Sequence, residues 1–507
     1  MQEDLSGNAR IHRAPQGGTG KDCFVIAGTA SLGSDAGPES AVTLSDVRRA
    51  AESARRFTLL LIAYEFPPSP SPQSLRWAYL ARELALRGHC VHILAPEHPG
   101  AGHGLPELPD GVVVHRTYAG PAMGLLNFLA KRERRKAAGA AAEPPAAVTG
   151  PPASASAVPV TAVAAPPLNW KGRLHNAANH CRTIAFHGFQ RLTARWFFPD
   201  GRAEWYPWAK RRLRFLLDQL DVDLVLSSHE PATTLSLGLD TRRHGLPWIA
   251  DLGDPVLAPY TPPRWRKRAA RLERRVCMAA DRVLVTNPAV AALLTERHGV
   301  AATRLSVLTQ GFDGRMDTFE DRGSVTPPLE LLYTGSFYSF RRAEPLLDAV
   351  VATPGVRLNI ASISVPEHVQ AVSRRSPSIR LLGFLPHVEA MAWQRRCDVL
   401  VNLANDDPCQ VPGKFYEYLG ARRPILHIGN GDDAAAKLLL GIPRGWVCPA
   451  DAVTLQTRLE ILRDDARAGR IATSLDLSAA AVREYDWAAI GARLDKIINT
   501  LMLEREA

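Results

Sequence analysis

Short apolar runs bounded by Gly, Pro or polar residues recur along most of the chain, with helical spacing between them. Phe57-Thr-Leu-Leu-Leu-Ile-Ala63 has the make-up of a buried strand, and Leu75, Tyr79, Leu80, Leu84 and Leu86 follow at helical spacing up to Gly88, a C-cap residue. Cys90-Val-His-Ile-Leu94 is the next strand, so the order begins with a βαβ unit, and Val112 to Val114 adds a third strand. Strands are then predicted over Leu224 to Ser227, Trp248 to Ala250, Arg282 to Thr286 and Leu305 to Leu308. Helices over Trp208 to Leu220, Thr233 to His244, Arg264 to Ala280 and Pro288 to Gly299 alternate with them. The grammar repeats further on. Strands fall at Leu329 to Tyr333, Arg357 to Ile363, Ile379 to Leu382, Val399 to Leu403 and Pro424 to Ile428, and helices near Glu344 to Val351, Val388 to Arg396, Gly413 to Ala421 and Ala434 to Leu440. Runs apolar on both faces and joined by helices are the mark of parallel sheets covered on both sides. The fold class is therefore α/β, with two domains facing across a cleft.

Boundaries follow from where the pattern lapses. Residues 1–55 read as a flexible polar extension, 56–315 as the first domain, 316–480 as the second and 481–507 as a terminal helix, with Trp487, Ile490, Leu494, Ile497, Ile498 and Leu501 on one stripe. The Ala/Pro-rich insertion at 137–167 has neither charge nor period and cannot offset its ordering entropy by packing. A chain of 507 residues, 46% hydrophobic, buries cores of this size without staples. Its seven cysteines are scattered, with no CxxC pair and no histidine cluster, which excludes a zinc motif or a disulfide framework and favours a reducing compartment. No signal segment and no membrane-spanning run is present, so a cytoplasmic protein is expected. Gly17-Gly-Thr-Gly-Lys21 is not a phosphate loop: Pro15 stands where its first glycine belongs, and no apolar strand precedes it.

Ligands of open parallel sheets bind beyond the carboxyl ends of the strands, which narrows the search for chemistry. The strongest passage is Val411-Pro-Gly-Lys-Phe-Tyr-Glu-Tyr-Leu-Gly-Ala421. Pro412 and Gly413 open a helix whose unpaired N–H groups attract an anion, and Lys414 and Glu417 share one face, a cation for a diphosphate and a carboxylate for ribose hydroxyls. Thr334, Gly335 and Ser336 directly follow a strand, so backbone can approach a ligand closely there. Arg341 and Arg342, unranked by sequence, are placed to neutralise charge on a departing diphosphate. In the first domain Asp251 and Asp254 follow the Trp248 strand, and His229 follows the Leu224 strand; the alternative for each is a helix cap. The turn Glu65 to Ser74 lies at the exit of the first strand. No Gly-x-Gly-x-x-Gly fingerprint and no Asx-rich metal loop occur, so neither a dinucleotide cofactor nor a bound metal is expected.

The net charge of +10 adds a polyanionic partner without choosing one. The basic aromatic stretch Trp170 to Arg214, which includes Trp205, Trp208, Lys210, Arg211 and Arg212, favours an anionic membrane surface over nucleic acid; the alternative is a solvated helix whose aromatics serve the core.

Six passages in register resemble glycosyltransferase family 4, the retaining enzymes of the GT-B architecture with two Rossmann-like domains. They are Tyr64 to Pro68 with Leu80 to His89, Pro247 to Pro255, Ala280 to Pro288, Gln310 to Asp313, Leu332 to Phe337 and Pro412 to Leu419. The resemblance implies a UDP- or GDP-sugar donor held chiefly by the second domain. Glu417 would hold the ribose, while Lys414, Gly413, one of Arg341 and Arg342, and the Thr334-Gly335-Ser336 backbone would face the diphosphate. Asp254, Asp251 and His229 would lie near the transferred sugar, no metal would be required, and the terminal helix would cross back to the first domain. Two departures stand out. The family often carries two glutamates separated by seven residues, and the first position is Cys409 here, with Asp406 and Asp407 as candidate substitutes. The glycine-rich acceptor-side loop is replaced by Ser69-Pro-Ser-Pro-Gln-Ser74. The expected function is sugar transfer to a lipid-linked or polysaccharide acceptor in bacterial envelope or exopolysaccharide synthesis. A soluble-acceptor transferase, a sugar-nucleotide epimerase, and a nonenzymatic nucleotide-sugar or nucleic-acid binder are the rivals.

Overall fold

The computed structural model describes residues 55–69, 71–98, 106–140, 198–259, 261–315, 328–337, 341–405, 407 and 409–507, with only the backbone for 133–140. The predicted extension, the insertion beyond residue 140, the aromatic stretch up to 197, the 316–327 linker and Asp406 lie outside these residues.

The first sheet has seven parallel strands: β1 Thr58–Ala63, β2 Cys90–Pro96, β3 Val112–Thr117, β4 Leu224–His229, β5 Trp248–Leu252, β6 Arg282–Val285 and β7 Leu305–Val307, in the order β3-β2-β1-β4-β5-β6-β7. The second has six: β8 Leu329–Thr334, β9 Val356–Ala361, β10 Ile379–Gly383, β11 Val399–Leu403, β12 Ile425–Ile428 and β13 Gly445–Cys448, in the order β10-β9-β8-β11-β12-β13. Leu61 sits between Ile93 of β2 and Leu226 of β4, and all three side chains are buried, as a sheet sandwiched by helices requires. The chain order reverses between β1 and β4 and again between β8 and β11. At such switch points the connections diverge and leave a crevice at the carboxyl ends.

The first half carries the helices α1 Pro72–Leu86, α2 Pro121–Ala140, α3 Tyr206–Gln219, α4 Thr233–Thr241, α5 Arg266–Ala279 and α6 Pro288–His298, and all but α2 place buried apolar residues in the cores on the first sheet. On the second pack α7 Glu344–Ala352, α8 Glu367–Arg375, α9 His387–Arg396, α10 Gly413–Gly420, α11 Ala434–Gly441 and α12 Ala452–Arg467. The final helix, α13 Trp487–Glu506, lays Trp487, Ile490, Leu494, Ile498 and Leu501 into the apolar cluster formed by β1, β2 and α1, where Trp487 stacks on Tyr79 with ring centroids 5.3 Å apart. The chain crosses between the sheets twice, and the crossings pair with each other: Phe312 N donates to Tyr485 O, and Trp487 N donates to Phe312 O.

Helix α2 runs four residues into the segment read from sequence as an unpatterned insertion. Its first-turn amides are satisfied from afar, since the Glu204 carboxylate accepts from Ala122 N at 2.9 Å and Met123 N at 3.0 Å. A cap supplied from some eighty residues downstream is invisible to local pattern.

Candidate functional site

On the second sheet the site starts at the exit of β8. Gly335 has φ +122°, a conformation glycine alone adopts without strain, and a Cβ there would stand 3.0 Å from Lys414 Nζ. The missing side chain lets α10 deliver Lys414 against the β8 exit. Its ammonium donates to the Thr334 carbonyl and lies 3.6 Å from the centroid of the Tyr333 ring. Tyr418, one turn further along α10, accepts from Thr334 N at 2.9 Å and so fixes the helix to the strand. Burial first, and then the nearby Arg341 charge, hold the Lys414 amine well below the usual lysine range, with Glu417 opposing.

The structure ranks the two arginines. Arg341 turns inward: Nε donates to Asn405 Oδ1 at 2.9 Å, and Nη1 donates to Ser336 O at 3.0 Å and Tyr333 OH at 3.3 Å. Arg342 is exposed. Glu417, half-buried one turn after Lys414, accepts from Gln394 Nε2 at 3.3 Å and lies 3.9 Å from His387 Nδ1. Two cations and a carboxylate thus gather around the opening of α10.

That opening faces the first sheet. A side chain at Gly413 would come within 3.8 Å of Pro72, the first residue of α1. Helix α1 is itself capped by Ser71, whose side chain accepts from Ser74 N at 3.1 Å. Two helix N-termini with their partial positive charge therefore approach across the crevice.

The carboxylates after β5 divide sharply. Asp251 is fully buried and accepts from Arg76 Nε and Nη2, each at 3.1 Å, from Trp77 Nε1 at 3.0 Å and from Gln73 Nε2 at 3.3 Å. Arg76 also donates to the carbonyls of Leu308 and Thr309. Asp251 is thus a buried anchor for α1, and its assignment beside the transferred sugar is corrected. Removing either partner would strand the other charge, at a cost of roughly 3–5 kcal/mol.

Asp254, half-buried, stands among charges from both sheets. Burial pushes its carboxyl up to about 6, Glu230 and Asp407 push in the same direction, and His229 and a hydrogen bond from Gln410 oppose them. His229 is buried, and its Nδ1 lies 2.8 Å from the Asp254 carbonyl, which can only accept, so Nδ1 carries the proton. Gln73 braces this rim, donating to Ser228 Oγ at 2.9 Å and His229 O at 2.6 Å. Cys409 packs against the first sheet's core, and its carbonyl accepts from Asn287 Nδ2 at 2.6 Å, so the loop after β11 is fastened to the opposite half. Among the described residues no group of three or more His, Cys, Asp and Glu side chains is placed to hold a metal ion.

Arg76, Gln73, Asn405 and Gln410 are absent from the sequence-derived site. Gln73 lies in the 65–74 turn at the exit of the first strand, but Asn405 and Gln410 carry no motif; only the exit of β11 marks them.

Residues 163–314 match the model of Glycosyltransferase Family 4. No curated protein matches the chain. Among solved structures, a sucrose-phosphate synthase from Thermosynechococcus elongatus superposes with a TM-score of 0.59 at 14% identity, covering 89% of this chain and 100% of that one. A glycosyltransferase from Rickettsia africae ESF-5 superposes with a TM-score of 0.50 at 12% identity, covering 89% and 99%. At these identities the likeness is one of fold, the two-sheet GT-B arrangement.

Proposed function

We propose, from the premise that the chain is a glycosyltransferase with family 4 sequence over 163–314 and the GT-B fold, that it moves a sugar from a UDP- or GDP-sugar to a lipid-linked or polysaccharide acceptor with retention of configuration. The observation that carries the donor assignment is the convergence of Lys414 and Arg341 on the Thr334–Ser336 turn, opposite the start of α1. Preorganised cations and helix termini of this kind offset the charge that builds on a nucleoside diphosphate as it leaves. In this reading Glu417, braced by Gln394, binds the ribose hydroxyls, and Asp254 with His229 serves the acceptor side. A panel of radiolabelled UDP- and GDP-sugars, incubated with the protein and a bacterial lipid extract, is expected to give labelled lipid product with one donor. Release of free sugar or an epimerised nucleotide alone would overturn the transfer reading.

The acceptor class rests on a surface. Tyr118, in the turn before α2, and Trp208 of α3 meet edge to face at 5.1 Å. Around them Leu125, Phe128 and Phe215 are exposed, with Phe128 at 62%, and Lys131, Arg132, Arg211 and Arg214 are exposed as well. Aromatic rings flanked by basic side chains suit the headgroup zone of an anionic bilayer, each Lys or Arg contributing about 1 kcal/mol. No helix among the described residues is long and apolar enough to cross a membrane, so the proposed association is peripheral, on the cytoplasmic face. Arg211→Gln with Arg214→Gln is expected to weaken cosedimentation with phosphatidylglycerol vesicles by roughly thirtyfold. Unchanged cosedimentation would remove the membrane assignment.

A further inference from the structure

We propose that Asn405 and Gln410 are positioning residues, forming a side-chain bridge across the crevice that holds the phosphate-side guanidinium of Arg341 and the acceptor-side carboxylate of Asp254 in one register. This rests on the donor and acceptor roles given above. Two contacts run along the loop: Arg341 Nε donates to Asn405 Oδ1 at 2.9 Å, and Asn405 Nδ2 donates to Gln410 Oε1 at 3.3 Å. Beyond them the Gln410 side chain stands close enough to the Asp254 carboxyl to favour its charged form.

Its polarity is forced. A guanidinium only donates, so Asn405 must turn its oxygen to Arg341 and its amide to Gln410. Gln410, its oxygen turned to Asn405, faces Asp254 with its amide, and an amide N–H favours the ionised carboxylate. Each flip is set by the one before it, beginning at the arginine.

The backbone under the bridge is pinned on both sides. Cys409 N donates to Asp407 Oδ1 at 2.9 Å and Gln410 N to Asp407 O at 3.1 Å, closing a turn within the loop. The Asn287 amide holds the Cys409 carbonyl from the first sheet at 2.6 Å. The loop belongs to one half of the molecule by sequence and to the other by contact. A movement of Arg341 on meeting a diphosphate is therefore felt at Asp254 without any substrate atom linking them. The charged groups around that carboxylate are Glu230 and His229 from the end of β4 and Asp407 from the loop itself, so the Gln410 amide works against two carboxylates.

The test is a double-mutant cycle read through kinetics and pH. Gln410→Leu is expected to lower kcat about ten- to a hundredfold, the effect of misplacing a reacting group, while KM for the donor stays near that of the wild type. The acid limb of the pH profile is expected to move to higher pH, because a bond favouring the charged form of Asp254 is lost. Asn405→Leu gives the same two signs, and the double variant loses no more than Gln410→Leu alone. Asn405→Asp keeps the acceptor for Arg341 but loses the donor to Gln410, so it must shift the acid limb as Asn405→Leu does. Additive losses, or an unmoved limb in Gln410→Leu, would overturn the bridge. If the wild type transfers no sugar, the functional reading fails separately, and the bridge is judged by thermal melting. Gln410→Leu must then steepen the fall of Tm with rising pH, and Asp254→Asn must cancel that steepening; melting curves parallel to the wild type would overturn it.

Discussion

Replacement of Lys414 by methionine is expected to lower kcat/KM for the nucleotide-sugar donor by roughly 10² to 10³-fold, the loss that follows removal of one preorganised charge-stabilising group. Methionine keeps most of the length and apolar stem and removes the ammonium that lies over the Tyr333 ring, so the change isolates the charge. Glu417→Gln serves as a contrast. Its contact is with a part of the donor that does not react, so KM should rise with kcat little changed. The buried amine also has a pH signature. Burial and Arg341 hold its free-state pKa below the ordinary lysine value, and an arriving diphosphate favours the charged form and raises it. Above the free-state value the amine is neutral, binding must take up a proton, and affinity for UDP or GDP falls as pH rises. Calorimetric titration in buffers of different ionisation enthalpy measures that uptake, which should vanish in Lys414→Met. A variant that binds the diphosphate with wild-type affinity and proton uptake would take Lys414 out of the site.

How much of this was legible in the sequence depends on the distance over which each feature is decided. Strands β1, β4, β5, β8 and β11 are written locally, as apolar runs with polar residues at their exits, and the α10 start is written in Pro412-Gly-Lys414. Roles among neighbouring polar residues are not. Asp251 and Asp254 are equivalent as letters, and what separates them is Arg76, which reaches Asp251 from 175 positions away. Arg341 and Arg342 are likewise equal until Asn405, 64 positions on, selects the first. Helix α8 is short and buries only Val369, so its apolar face is too small to stand out among its charged neighbours. Helix α12 is different: Leu455, Leu459, Leu462 and Ala466 form a buried helical stripe, a signal that is present in the sequence itself.

The contrast between the two aspartates sets the other large effect. Asp254→Asn is expected to lower kcat by roughly 10² to 10⁴-fold, the range for loss of a positioned proton acceptor, and to abolish the acid limb of the rate profile. In the wild type that limb is expected near pH 6, with activity rising as pH passes through it, if the ionised carboxylate accepts the proton of the incoming acceptor hydroxyl as proposed. The same perturbation acts on stability with the opposite benefit. A carboxyl whose folded-state pKa stands above its unfolded value of about 3.8 favours folding only while protonated, so the native state loses stability as pH climbs from there to about 6 and bears the full penalty above it. Asparagine cannot ionise, and Asp254→Asn should therefore raise Tm at pH 8 and leave it near the wild-type value at pH 4. Asp251→Asn should lower Tm at both, because it weakens the pairing of a buried arginine. Higher melting with lost turnover is the signature of a site strained for chemistry. An Asp254→Asn protein that melts lower than the wild type at pH 8, or keeps its acid limb, would assign the carboxylate to the scaffold instead.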